Sequence, residues 1–144
     1  MSALLLDASA ILAAFDSDDA LHEPARAILI DSDVTLATLD LARYEAANVA
    51  IRAWRAPGRV TPLLDAIDRI SSDGGVVLST SALLTRAAQL AEEHTISVYD
   101  AAYVAAARQV GSTLISCDVR DLISKGLASS PADGPRRQGV TSER

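Results

Sequence analysis

With 144 residues the chain has the length of one ordinary domain and enough residues to bury a substantial core. Apolar residues make up 49% of it and aromatics only 3%, so that core must be built from Ala, Leu, Val and Ile. A net charge of −6 excludes a broad, non-specific grip on nucleic acid, and any polyanionic substrate has to be met locally, by a metal ion or an arginine cluster. Of the 13 basic residues only Lys125 is lysine, a bias that suits bidentate contacts to phosphate or carboxylate and that can equally be a genomic habit. The lone Cys117 cannot form an internal disulfide and fits a reducing cytoplasm. MSALLLD lacks the basic start and apolar length of a signal peptide, and no stretch approaches the roughly 20 apolar residues that span a bilayer. A soluble, cytoplasmic protein without a membrane role is expected.

Residues 3–6 read as a short buried strand ending at Asp7, followed by a helical pattern through Phe15. A second helix covers about 20–30, with Pro24 tolerable in its first turn. Residues 34–37 form the next strand candidate. Asp40 is placed to cap a long helix running to about Arg55, which Pro57-Gly58 would stop, and Thr61-Pro62 reads as the cap and first position of a helix to about Ile70. Asp73-Gly74-Gly75 marks a turn before a strand at 76–78 and a helix at 81–94. The stretch SVYDAAYVAAAR, from Ser97 to Arg108, opens with Ser97-x-x-Asp100, a capping pattern. Residues 113–116 are a fourth strand, with Asp118 just past it and a short helix from about Val119 to near Gly126. Short apolar strands alternating with helices predict an α/β fold with a short, mostly parallel sheet of four to five strands covered by helices on both faces. Residues 1–127 would form the domain, and 128–144, SSPADGPRRQGVTSER after one alanine, a mobile tail without periodicity.

In open parallel α/β sheets ligands bind beyond the carboxyl ends of the strands, near the point where strand order reverses. Asp7 and Asp118 sit at such ends, Asp100 heads a helix, and Glu45 lies on the first turns of another, so all four can face one crevice. Each has a plainer use: Asp7 and Asp100 as helix caps, Glu45 as a solvated helix residue, Asp118 as the start of a turn. Glu45 nevertheless shares its helix with Leu41, Ala42, Val49 and Ala50 and falls near the border of their apolar stripe rather than opposite it. Two carboxylates about 4 Å apart repel by about 4 kcal/mol at an effective dielectric of 20, a cost that a divalent cation removes. Oxygen donors without His or Cys favour Mg2+ or Mn2+ over zinc. The two histidines, His22 and His94, read as surface helix residues, which weakens a histidine nuclease, a zinc hydrolase and a serine triad alike.

With the acids placed, the sequence resembles the PIN-domain proteins, and among them the VapC toxins of bacterial toxin–antitoxin pairs. The likeness runs over about residues 3–127 and rests on LLLDASAIL, LARYEAANVAIR, VYDAAYVAAA and LISCDVRDL in that order. It implies a three-layer α/β/α PIN-like fold and a metal-dependent endoribonuclease that cleaves RNA, in a tRNA or rRNA loop by family analogy. The resemblance puts the acidic site on Asp7, Glu45, Asp100 and Asp118, with Asp7, Asp100 and Asp118 as the main ligands of Mg2+ or Mn2+. Glu45 would hold the attacking water or act as its base. Ser9 matches the hydroxyl that supports the first acid, Asn48 a recurrent polar residue one turn after the glutamate, and Ser116 stands where the family more often has Thr. Asp121 is a fifth candidate, with a solvated helix position as its plainer reading.

Arg52, Arg55 and Arg59 continue from the Glu45 helix and offer a short basic path for an RNA backbone, or an ordinary solvated face. Tyr44, Tyr99 and Tyr103 are available to stack on bases or to pack at the core and rim. The resemblance further implies a VapB-type antitoxin, a homodimer, and contact with DNA only through that antitoxin. Two other readings remain: an Mg-dependent phosphoryl-transfer or phosphoacceptor domain, which would want a lysine beside the phosphate where this chain has only Lys125, and a catalytically silent PIN-like binding module.

Overall fold

A computed structural model of the chain describes residues 2–73 and 75–133. The elements, in order, are β1 (Ser2–Leu6), α1 (Ala8–Phe15), α2 (His22–Ile30), β2 (Val34–Leu39), α3 (Leu41–Arg52), a 3-10 turn (Pro57–Arg59), α4 (Val60–Asp73), β3 (Val76–Val77), α5 (Ser81–His94), α6 (Val98–Gln109), β4 (Thr113–Ile115) and a wide π-type turn (Val119–Ile123). The sheet order is β3-β2-β1-β4 and every pairing is parallel. β1 is central, with Leu4 set against Leu36 of β2 and Thr113 of β4. Leu4, Leu5 and Leu6 are all buried, as a parallel strand covered on both faces requires.

Helices lie on both faces. α5 and α6 pack on one another and α6 lies along β1, β2 and β4, while α1, α3 and α4 form a second group with α4 against β2 and β3. The alanines of α6 explain how it sits so deep: Ala101, Ala102, Ala105, Ala106 and Ala107 are all buried. Their small side chains bring the helix backbone close to the sheet, and Leu83, Ala87, Leu90 and Ala91 of α5 cover it from outside. Among the described residues no helix is long and apolar enough to cross a membrane.

Several expected boundaries move. Asp40 makes no side-chain cap to α3; its carboxylate instead accepts from the Ser79 backbone N–H at 2.9 Å and the Ser79 hydroxyl at 2.5 Å, joining the ends of β2 and β3. α3 ends at Arg52, before Pro57-Gly58 can act, because Arg55 turns the chain at φ +52°. Thr61 and Pro62 lie inside the first turn of α4 rather than ahead of it, so Thr61 is no cap. Of the turn expected at Asp73-Gly74-Gly75, Gly74 lies outside the described residues, and Gly75 adopts φ +97°, which suits glycine. The expected tail also changes: Ser129 bridges to Ile115 alongside β4, with its N–H on the Leu114 carbonyl at 2.9 Å, and Pro131 is buried. Residues 134–144 of that stretch lie outside the described residues.

Candidate active site

From β1 the chain passes to β2 on one side, and it returns later as β4 on the other, so the strand order reverses between β1 and β4. That reversal opens a crevice past the strands' carboxyl ends. Asp7 leaves β1 there, its N–H continuing the ladder to the Ile115 carbonyl at 3.1 Å. Ser116, Cys117 and Asp118 leave β4 beside it.

Asp7 caps α1, accepting from the Ala10 N–H at 3.0 Å and the Ser9 hydroxyl at 2.6 Å, both on Oδ1. It is only 5% exposed, and burial lifts its carboxyl from 3.8 to about 6 against the pull of Ser116, Ser9 and the Ala10 N–H, with Glu45 adding repulsion. The capping and site readings therefore coincide in one side chain. Ser9 Oγ also accepts from the Cys117 N–H at 2.9 Å and lies 3.4 Å from Ser116 Oγ, which in turn accepts from the Asp118 N–H at 3.0 Å. Two hydroxyls thus clamp the ends of β1 and β4 and aim Asp7 and Asp118 from neighbouring strands. Burial and the Asp7 charge push the half-buried Cys117 thiol up to about 11, so it stays protonated and unreactive.

Asp100 is not itself the cap of α6. Ser97 is, accepting from the Asp100 N–H at 3.0 Å, and Asp100 is left with its carboxylate in the crevice. Carboxylate oxygens of Asp100, Asp118 and Asp121 all lie within 4.8 Å of one another, each half-buried. Desolvation raises Asp100 from its ordinary range, and the charges of Asp118, Asp121 and Glu45 raise it further. Asp121 is a member of the cluster rather than a solvated helix residue: the turn after β4 is wound i to i+5, and the Asp121 N–H is tied to Asp118 Oδ1 at 2.9 Å. Asp7 stands apart from that triad, its Oδ1 committed to Ser9 and Ala10, and is linked to it through Glu45, which repels both Asp7 and Asp100.

Glu45 is half-buried on α3 and accepts from the Tyr103 hydroxyl at 2.6 Å. Tyr103 is a core residue, 2% exposed, whereas Tyr44 and Tyr99, each directly preceding a site acid, are 77% and 64% exposed. Asn48 lies exposed one turn past Glu45, on the wall of an open apolar groove of about 800 Å³ formed with Tyr44, Ile51 and Leu64 between α3 and α4.

Arg52, Arg55 and Arg59 are all exposed, and Arg59 in addition lies 4.6 Å from the Trp54 ring centroid and donates to the Phe15 carbonyl. Arg120 is the cation that the pattern reading passed over. Its side chain is 93% exposed and its Nε lies 3.9 Å from Asp121. Its signal in the sequence was a single cation inside CDVRDL, flanked by two site acids. The histidines contribute no donor to the acidic triad. His22 is more buried than a surface residue, its Nδ1 2.9 Å from the Ala13 carbonyl, and His94 pairs loosely with Glu93 at the end of α5.

An all-oxygen cluster of partly buried carboxylates fits a hard divalent cation of the Mg2+ or Mn2+ kind. The PIN domain family model matches residues 4–125, and this chain belongs to that family. It is 34% identical over 130 residues to Ribonuclease VapC3 of Pyrobaculum aerophilum, covering 85% of this chain and 93% of that protein. Solved structures share the fold. VapC20 of Mycobacterium tuberculosis, a sarcin-ricin loop cleaving toxin, matches with a TM-score of 0.67 at 22% identity over 81% of this chain and 91% of its own. A toxin–antitoxin complex from Klebsiella pneumoniae gives 0.65 at 18% identity, over 89% and 97%.

Proposed function

We propose that this chain is the ribonuclease toxin of a VapC-type toxin–antitoxin pair and hydrolyses RNA phosphodiester bonds at the Asp7–Glu45–Asp100–Asp118 crevice. The observation that carries the reading is the convergence of Asp100, Asp118 and Asp121 at the sheet's switch point, with Asp7 and Glu45 in the same field of charge. The relatedness to Ribonuclease VapC3 supports it. Asp7, Asp100 and Asp118, joined by Asp121, are the residues that would hold Mg2+ or Mn2+. When bound, such an ion supplies an acidified water nucleophile and a positive charge for the phosphate oxygens.

The chain's own groups do the rest. Glu45, with Oε1 taken by Tyr103, has Oε2 to receive a proton from the attacking water. Arg120 stands exposed at the rim to meet a phosphate that the net charge of −6 would otherwise repel. Tyr44 and Tyr99 offer exposed rings on which unpaired bases stack, which favours a looped tRNA or rRNA target over a duplex. The apolar groove between α3 and α4 is suited to a segment of a VapB-type antitoxin, whose own domain would make the DNA contacts, and the toxin would act as a homodimer in the cytoplasm.

The test is incubation of antitoxin-free protein with structured RNAs and Mn2+, followed by mapping of the cleavage ends. Cuts confined to loops, lost in EDTA and reduced at least 100-fold in Asp118→Asn, are expected. Cleavage that survives both treatments would overturn the metal-site assignment. Phosphate transferred onto the protein would mark a phosphoacceptor, and cation binding without any cleavage a silent module.

A further inference from the structure

We infer that Tyr103 is a positioning residue that acts through Glu45, fixing across two helices where that carboxylate stands in the acidic crevice. Tyr103 lies three residues after Asp100 on α6, hence on the same helix face, and its ring is buried in the core while its hydroxyl reaches Glu45 Oε1 on α3 at 2.6 Å. A buried phenol has to find an acceptor, and a backbone carbonyl would serve. An ionised acceptor makes this bond a short, charge-assisted one.

The carboxylate needs such a hold. Glu45 is repelled by both Asp7 and Asp100, and it is only half-buried, so without a restraint its side chain lowers its energy by swinging toward water. The phenol supplies the restraint at every working pH, because burial and the adjacent Glu45 charge hold its proton far above the ordinary tyrosine range. One O–H group thus ties α6, which carries Asp100, to α3, which carries Glu45. A residue that only filled the core would be phenylalanine here at no loss.

The experiment is a double-mutant cycle with Tyr103→Phe and Glu45→Gln, read in two ways. In RNA cleavage, for which the inference rests on the ribonuclease reading, Tyr103→Phe should lower kcat about tenfold with KM within twofold. The double variant should then match Glu45→Gln alone. In Mn2+ titration by calorimetry, which needs no activity, each single variant should weaken binding threefold to tenfold, and the double variant no more than the weaker of the two. Losses that multiply in the double variant, or a Tyr103→Phe protein that keeps wild-type kcat and Mn2+ affinity, would overturn the inference. Should the wild-type protein cleave no RNA, the ribonuclease reading fails by itself and the Mn2+ cycle still decides the role of Tyr103.

Discussion

Asp7 shows the tension in the site at the scale of one residue. Its carboxyl is held at about 6 instead of 3.8, which corresponds to about 3 kcal/mol against the ionised form. The folded chain therefore binds more protons than the unfolded chain between roughly pH 4 and 6, and the contribution of this group to stability, fully present below that window, is lost as pH rises through it. Without divalent cations the protein should melt at a lower temperature at pH 8 than at pH 5, as measured by thermal denaturation in EDTA. Asp7→Asn keeps an oxygen for Ser9 and Ala10 and removes the charge. It should flatten that pH dependence and raise the pH 8 melting temperature by several degrees while reducing cleavage at least 100-fold. A variant as pH-sensitive as the wild type would show that the charge is relieved elsewhere. Residues of this kind were legible as candidates from strand-end position and resemblance. The approach of Asp121 to Asp118 was not legible, because the chain after β4 takes a wider turn than a periodic helix.

At the scale of the element, α6 carries both the core and the site. Ser97 holds its first turn, and the acid at the third position of that turn is Asp100, so the cap and a carboxylate of the acidic triad share one backbone segment. Ser97→Ala should cost about 1 kcal/mol in denaturant unfolding. By loosening the Asp100 backbone it should also weaken Mn2+ binding, whereas a cap that served only the helix would leave calorimetric affinity unchanged. The limits of α5, 81–94, were legible to the residue from periodicity, since a helix with one buried face writes its period into the sequence. Asp40 was not, because its side chain is taken by Ser79, 39 residues away, and no local pattern encodes that competition.

For the whole molecule, the dominant fact is a negatively charged chain that gathers five of its 19 acids around the carboxyl ends of β1 and β4. A cation that binds only the folded state stabilises by mass action, by about 2.7 kcal/mol at one hundred times its dissociation constant. Mn2+ should accordingly raise the melting temperature by roughly 10 °C. The shift should vanish in Asp100→Asn, and a wild-type protein whose melting curve ignores Mn2+ would argue against a cation site. Beyond residue 127, Ser129 pairs with Ile115 along the β4 edge.

The amino-acid sequence determined the order of strands and helices, the aliphatic core, and a donor chemistry of oxygens without a nearby imidazole, because these follow from residue type and short-range period. Tertiary structure alone decided which donors meet. Glu45 and Tyr103 are 58 residues apart, and Ser9 beside Asp7 meets Cys117 and Ser116 because β4 returns to pair with β1 rather than with β3. That choice of neighbour is set by the packing of the whole sheet, and it turns scattered acids into one site.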